Sequence, residues 1–348
     1  MNYARKTIAK IMGYVPGEQP QGKPLVKLNT NENPYPPSPK VLAALANFDA
    51  QRLRLYSDPV CTRLRETAAR IYGLKPSQIL AGNGSDDLLT IALRTVVDQV
   101  QALTYAEPSY SLYPVLADLQ GARRRPVPLT EAFELPENAA ELAGDAPLFI
   151  FACPNAPTGN LTPLTTIRRL CRDFPGVVWI DEAYVDFAGE NCMALVDQYP
   201  NVVVSRTLSK SYSLAGLRLG LACANESLIL EMNKVKDSYN VDMIAQTLAT
   251  AALEDQQYML DNMAKIRATR DWLARELRNH GCQVLPSATN FLFAKPCTPA
   301  AQLFTALKQR CYLVRYFALP RVDQYLRITI GTREDMEGFL ATFLELDK

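Results

Sequence analysis

One lysine of this chain stands in a stretch that offers it no counter-charge. Residues 206–220 read "RTLSKSYSLAGLRLG", and Lys210 lies there among hydroxyls and small apolar residues with no acid in the segment. An amine in such surroundings becomes a nucleophile once burial strips its solvation. Thr207, Ser209 and Arg218 supply two hydroxyls and a guanidinium, which together make an oxyanion receptor. Upstream, "VVWIDEAYVDF" drives an apolar strand into Asp181 and Tyr184. Alternation along that strand buries Asp181, and buried carboxylates are rare without a cationic partner. Taken singly, Asp181 also reads as a helix cap and Tyr184 as a core aromatic. In "FACPNAPTGN" two prolines and a glycine hold Asn155 on a stiff loop at a strand's carboxyl end, where open α/β sheets place their ligands. In "AGNGSDDLL", residues 81–89, a strand ends on a glycine turn and Ser85 or Asp86 can cap the helix that follows. Backbone N–H groups at such a helix start suit a phosphate, although a ligand-free structural turn reads equally well.

These residue types converge. A lysine can form an imine, a buried carboxylate can hold a protonated pyridine nitrogen, and several donors can bind a phosphate. Pyridoxal 5'-phosphate needs that set, because its aldehyde, ring nitrogen and phosphate each require a different partner.

The rest of the composition narrows the chemistry. The chain has 348 residues, 48% hydrophobic and 21% charged, which is globular composition, and its length suggests two lobes. A net charge of +1 gives no bulk attraction to nucleic acid or anionic membrane. No apolar run reaches the roughly 18 residues of a membrane span, and the start "MNYARKTIAKIMGY" lacks the apolar core of a secretory signal. The eight cysteines form no C-x-x-C clip, so reduced, buried thiols in a cytoplasmic protein are expected, with no metal site. His280 is the sole histidine and precedes Gly281, where it reads as a cation at a helix C-terminus. Proton transfers therefore fall to Lys, Tyr, Cys or carboxylates.

The elements that must position these groups follow from hydrophobic periodicity. "QILAG", "QALTY", "LFIFACP", "VVWIDE", "NVVVSRT" and "RLGLACA" read as strands, with helices over 86–97 and 163–172 among those between them. That alternation predicts an α/β fold with a mostly parallel sheet covered on both faces. A helical pattern spans 245–279 and kinks near Asp255. A compact α/β unit closes the chain, its last helix opened by a Thr332/Asp335 capping box. Expected divisions are an N-terminal arm over 1–38 that completes the smaller lobe, a large domain over 39–250 and a small domain over 251–348.

The motifs "GNGSDD", "PSYSLYP", "PNAPTGN", "DEAY", "SKSYSLAGLRLG" and "LRITIGT", in this order and at this spacing, resemble the fold-type-I, class-II pyridoxal-phosphate aminotransferases across essentially the whole chain. "YVPGEQP" and "KLNTNENPYPPSP" are similar to hallmarks of the histidinol-phosphate aminotransferase family within that group. The resemblance implies a transaminase that moves an amino group between histidinol phosphate and 2-oxoglutarate in histidine biosynthesis. It implies that Lys210 bonds the cofactor and shuttles a proton, while Asp181 holds the pyridinium. Tyr184 and Asn155 would face the ring 3'-oxygen, and Tyr110 the ring plane. Gly84, Ser85, Asp86, Thr207, Ser209 and Arg218 would surround the cofactor phosphate. Tyr56, in "RLYSDP", would reach that phosphate from the other subunit of a homodimer. Arg327 would take an α-carboxylate; Tyr14, Asn33 and Arg315 would meet the substrate, with Tyr14 and Arg315 at its phosphate. A strand segment bearing two inward arginines, Arg315 and Arg327, favours an anion pocket over a solvated edge. The chain departs from the commoner "SKAFGLAG" at Ser211 and Tyr212 and from "PYVPG" at Gly13, which leaves room for altered substrate preference. An aromatic or broad amino-acid transaminase, a threonine-phosphate decarboxylase-like lyase, and a non-enzymatic binding module are the alternatives. The last would need an added DNA-binding segment that the short, near-neutral arm does not supply.

Overall fold

The computed structural model describes residues 3–20 and 25–348, so residues 1–2 and 21–24 of the expected arm lie outside the described residues. The arm has a 3-10 turn at Ile8–Lys10 and then β1 (Val26–Lys27). Helices α1 (Pro39–Ala46) and α2 (Thr62–Tyr72) lead into β2 (Ile79–Gly82), α3 (Ser85–Val96), β3 (Ala102–Glu107), α4 (Leu112–Gln120) and β4 (Arg123–Pro128). Next come α5 (Ala139–Ala143), β5 (Leu148–Ala152), α6 (Leu164–Asp173), β6 (Val177–Asp181), α7 (Leu195–Gln198), β7 (Val202–Thr207), β8 (Gly220–Ala224) and α8 (Glu226–Val235).

Seven strands form one sheet in the order β2-β8-β7-β6-β5-β3-β4. All run parallel except β8, which lies antiparallel to both its neighbours. The six strands expected from the sequence are all here, and the mostly parallel sheet is as expected. The seventh, β4, escapes periodicity because "RRRPVP" is charged and proline-bearing; it survives as a strand because it is the sheet edge, where an unpaired side tolerates proline and charge.

Strand alternation divides the core in two. Leu148, Ile150, Trp179 and Val203 pack with α3, α4 and α8, while Phe149, Phe151, Val178, Ile180, Val202 and Val204 pack in the other cluster with α2, α6 and α9 (Met243–Leu253). Both faces are thus buried, and each fully buried large apolar side chain contributes about 1.5–3 kcal/mol. Because β2, β3, β5, β6 and β7 share one direction, the segments that follow them gather at a single rim.

The expected 245–279 helix is two helices, α9 and α10 (Gln256–Asn279), separated at Glu254–Asp255. Beyond them β9 (Gln283–Val284), β10 (Phe291–Lys295), α11 (Ala300–Gln309), β11 (Tyr312–Leu313), β12 (Arg315–Tyr316), β13 (Leu326–Thr329) and α12 (Arg333–Leu346) make a second unit. Its four strands run β12-β13-β10-β9, and β1 of the arm pairs parallel with β11. Thr332 and Asp335 form the capping box of α12. His280 caps α10, its Nε2 2.8 Å from the Asp347 carbonyl. Two cysteines depart from the expected burial: Cys297 and Cys311 sit in the turns after β10 and α11 and are exposed.

Candidate active site

The rim of the large sheet collects the chemistry. Lys210, three residues past the end of β7, is partly buried, and its Nζ donates to the Thr30 carbonyl at 3.0 Å. The side chain passes 5.9 Å from the Tyr184 ring centroid. Burial pushes the amine down to about 8, and the Arg327 and Arg218 guanidiniums add to this against Glu32 and Asp86. Glu32 and Asp86 thus act on the amine only at a distance: among the described residues Lys210 forms no ion pair. The lysine backbone is clamped as well: Asn33 Nδ2 donates to the carbonyls of Lys210 and Ser211 at 3.0 and 3.1 Å. Asn33 Oδ1 accepts from the Tyr35 N–H, so this side chain faces the lysine loop, and a substrate contact would have to displace one of these bonds.

Asp181 ends β6 on the face it shares with Trp179, and only 5% of it is exposed. Its Oδ2 accepts from Tyr113 at 2.9 Å and its Oδ1 from Ser205 at 3.4 Å. It is no helix cap. Burial pushes its carboxyl up to about 6, the Tyr113 hydrogen bond opposing and the Asp86 charge reinforcing that rise. Tyr184 accepts at its hydroxyl from Asn31 Nδ2 at 2.9 Å and packs edge-on against Phe291. Asn155 is fully engaged: Nδ2 donates to Pro108 O and Thr158 Oγ1, and Oδ1 accepts from Ser109.

The glycine turn after β2 comes up against Arg218. Gly84 has φ +87, and a Cβ there would lie 2.7 Å from Arg218 Nη2; a Cβ on Gly220 would lie 2.9 Å from Ser85 N. Only glycine permits so close an approach of strand, turn and guanidinium. Arg218 itself takes the left-handed conformation, φ +54, and its Nη1 donates to Ser209 at 3.5 Å. Thr207 Oγ1 accepts from the Ser209 N–H at 3.2 Å. Asp86 lies 3.7 Å from Arg218 and accepts from the Tyr110 hydroxyl at 3.3 Å. The expected cap at Ser85 or Asp86 is corrected here: α3 opens at Gly84 with no side-chain cap, and Asp87 instead accepts from the Asn83 N–H at 2.8 Å. Asp87, at N3, has the reach to turn back that Ser85 and Asp86 lack at N1 and N2.

Arg315 and Arg327 do share a face, but on two strands: β12 and β13 pair antiparallel and place the arginines directly opposite each other. Each also lies 5.4 Å from the Phe317 ring. Arg327 Nη2 donates to the Asn29 carbonyl at 2.7 Å, while its buried Nε has no hydrogen-bond partner. Arg315 donates to the Val15 and Pro16 carbonyls at 3.4 Å, beside Tyr14, whose ring meets Tyr110 edge-on at 5.7 Å. Tyr56 is not brought to this cluster. It is 81% exposed and stacks on Tyr239 at 4.4 Å.

Several partners were not read from the sequence. Asn29, Thr30 and Asn31 of the arm contact Arg327, Lys210 and Tyr184, and Tyr113 and Ser205 hold Asp181. Tyr113 had a signal, since it stands three residues after Tyr110 in "PSYSLYP", and the two rings meet edge-on at 5.6 Å. Ser211 and Tyr212 commit their hydroxyls within the chain: Ser211 donates to Asp186 and Tyr212 pairs with Gln256. These departures from the commoner motif therefore anchor the loop.

Pyridoxal phosphate fits these residues. A buried acid without a cation matches a protonated ring nitrogen, an amine at about 8 matches an aldehyde, and a glycine turn against a guanidinium matches a phosphate. The orphan Nε of Arg327 offers a donor for a carboxylate.

Comparison with known proteins agrees. Residues 23–343 match the family described as aminotransferase class I and II. A histidinol-phosphate aminotransferase of Geobacter sp. (strain M21) is 47% identical over 344 residues, covering 98% of each chain. One from Syntrophotalea carbinolica is 45% identical over 348 residues, covering 99% of this chain and 100% of its own. A crystal structure of the Sinorhizobium meliloti histidinol-phosphate aminotransferase with pyridoxal-5'-phosphate superposes with a TM-score of 0.91 at 25% identity, covering 99% of this chain and 98% of that one. The chain belongs to the class I and II aminotransferases, within their histidinol-phosphate aminotransferase branch.

Proposed function

We propose that the chain transfers the amino group of L-histidinol phosphate to 2-oxoglutarate, giving imidazole-acetol phosphate and L-glutamate in histidine biosynthesis, with pyridoxal 5'-phosphate as cofactor. The observation that carries this reading is the Lys210 amine, depressed to about 8, placed at the same rim as a buried, cation-free Asp181. The cofactor, when bound, supplies an aldehyde for an amine and a protonated ring that accepts electrons from the substrate's α carbon.

The residues of the chain do the rest. Asp181 keeps a proton on the ring nitrogen. Lys210, freed as an amine, carries a proton to and from the reacting carbon, a task its depressed basicity suits near neutral pH. Tyr184 would orient the ring through its 3'-oxygen, Asn155 would join it on giving up one of its present amide hydrogen bonds, and Tyr110 would cover the ring face. Gly84, Ser85, Thr207, Ser209 and Arg218 hold the phosphate, with Asp86 steadying Arg218. The Nε of Arg327 takes the carboxylate of glutamate, and Arg315 with Tyr14 takes the phosphate of the other substrate. On this division residues 39–250 hold the cofactor, and residues 251–348 with the arm 1–38 close over the substrate.

Tyr56 supports a homodimer, because it is exposed and does not join its own site, and Leu42, Leu45, Leu53 and Leu55 near it are half exposed or more. No helix among the described residues is long and apolar enough to cross a membrane. A cytoplasmic location belongs to this reading, since both substrates are small intermediates of biosynthesis.

The test is direct. Cofactor-loaded protein given histidinol phosphate and 2-oxoglutarate should form glutamate, and borohydride should fix the cofactor's mass on Lys210. Lys210→Ala should lose both turnover and visible absorbance while staying folded. Carbon dioxide released from phosphothreonine without glutamate would move the protein to the lyases, and phosphate-free aromatic donors working equally well would make it a broad transaminase.

A further inference from the structure

Asp181 is buried without the partner that buried acids usually need. Among the described residues it forms no ion pair, and its carboxylate meets two side-chain hydroxyls and the Ala183 backbone N–H. The registry of the sheet explains which hydroxyls. β6 and β7 pair Asp181 with Ser205, and Trp179, two residues earlier, stands on the same face. Trp179 Nε1 donates to Ser205 Oγ at 3.0 Å. An indole N–H can only donate, so Ser205 receives there and its own hydrogen is free for Asp181 Oδ1 at 3.4 Å. Tyr113, from the first turn of α4, donates to the other oxygen at 2.9 Å. Trp179, Ser205 and Tyr113 are each 0% exposed, so water does not compete for these bonds.

We propose that Tyr113, Ser205 and, through Ser205, Trp179 are positioning residues that keep the Asp181 carboxylate charged and aimed at the rim in a pocket that holds no cation for it. This rests on the reading that a protonated ring nitrogen faces Asp181. The other titratable groups facing it are Asp86 from α3 and Tyr184 from the segment after β6. Neither is a cation, and the Asp86 charge favours protonation. The hydroxyls therefore oppose burial and a like charge together. Tyr113 makes the largest opposing contribution, the Ala183 backbone N–H comes next and Ser205 follows, which leaves the acid at about 6 and mostly charged at neutral pH. The indole acts at one remove: by occupying the serine's lone pair it polarises and orients the hydroxyl, as chained hydrogen bonds do.

The experiment uses the cofactor-free protein with ¹³C-labelled aspartate carboxyls, titrated by NMR, with Asp181→Asn identifying the resonance. The wild-type midpoint should lie near 6. Tyr113→Phe should raise it by about one pH unit, a tenfold change in acid dissociation. Trp179→Phe, which leaves Ser205 in place, should raise it by roughly 0.3 unit, about twofold. Ser205→Ala, a smaller disturbance of packing, should raise it by at least as much and serves if the tryptophan variant does not fold. Midpoints unmoved in Tyr113→Phe and Ser205→Ala would overturn the proposal, and a shift in Ser205→Ala with none in folded Trp179→Phe would remove the indole from it. In loaded enzyme the acid limb of kcat should move the same way with KM unchanged. The NMR result does not depend on turnover, so a protein showing these shifts yet refusing pyridoxal phosphate would support the hydroxyl relay and sink the function proposed above.

Discussion

On one face of β6, Asp181 is held by two hydroxyls and the Ala183 N–H, while one residue later Glu182 turns to the other face and meets Arg206 Nε at 2.8 Å. Arg206 also reaches Asp186 at 2.9 Å, and the Cys192 N–H donates to Glu182 Oε1 at 2.5 Å. The Arg206–Glu182 pair is close without being aligned as a hydrogen bond, so it acts by charge. Burial opposes the Arg206 charge, yet Glu182 and Asp186 hold its pKa well above the ordinary value. Adjacent acids at the end of one strand thus have opposite fates. The paired one braces the fold behind the lysine loop, through Asp186 and Ser211; the unpaired one stays available to a ligand's cation. A charge that must work is left without a counter-ion, and a charge that must hold is given one.

The largest test of that contrast is in turnover. Asp181→Asn should lower kcat by about three orders of magnitude, roughly 4 kcal/mol of barrier, because an amide cannot stabilise a pyridinium. Glu182→Gln, measured in the same assay at a temperature where it stays folded, should lose less than tenfold. Equal losses would break the comparison.

Stability should show the reverse. Arg206→Met leaves the buried Glu182 and the partly buried Asp186 without their cation and should lower unfolding free energy by about 3–5 kcal/mol in a urea titration. Asp181→Asn should instead stabilise the cofactor-free protein above pH 7, by about 1–3 kcal/mol. The sign follows from the raised carboxyl: its contribution to stability is full below the unfolded value of 3.8 and is lost as pH rises through about 6. The advantage of the amide should therefore fade as pH falls from 6 toward 4.

Amine labelling of cofactor-free protein should place the Lys210 midpoint near 8, against 10.5 for an ordinary lysine. Arg327→Met should move it upward and Glu32→Gln downward, since one cation opposes and one anion favours the ammonium. The smallest effect is expected at Ser211→Ala and Tyr212→Phe, about 1 kcal/mol of stability each, with the order of preferred substrates unchanged. A changed substrate order would show that these hydroxyls do more than anchor the loop.

Motif and period made Lys210, Asp181, Asn155, Gly84 and Arg218 legible, because each lies at or within a few residues of the end of a strand whose apolar run announces itself. The edge strand β4 was hidden by its arginines and prolines, and the break at Glu254–Asp255 was readable only as a kink. Asn33 is expected at the substrate, and its amide clamps the lysine loop; nothing in "NENPY" announces that second task.

By itself the sequence determined the alternation that sends Asp181 and Glu182 to opposite faces, the glycine that lets a turn approach a guanidinium, and the absence of local counter-charge around Lys210. Those are short-range properties, set by the two-residue repeat of a strand and by neighbours along the chain. Which side chain answers each buried charge was decided by tertiary structure alone. Tyr113 reaches Asp181 from 68 residues away, and the Thr30 carbonyl reaches Lys210 from 180. Such partners are chosen by how strands register and where helices and the arm dock, and no local pattern encodes that choice.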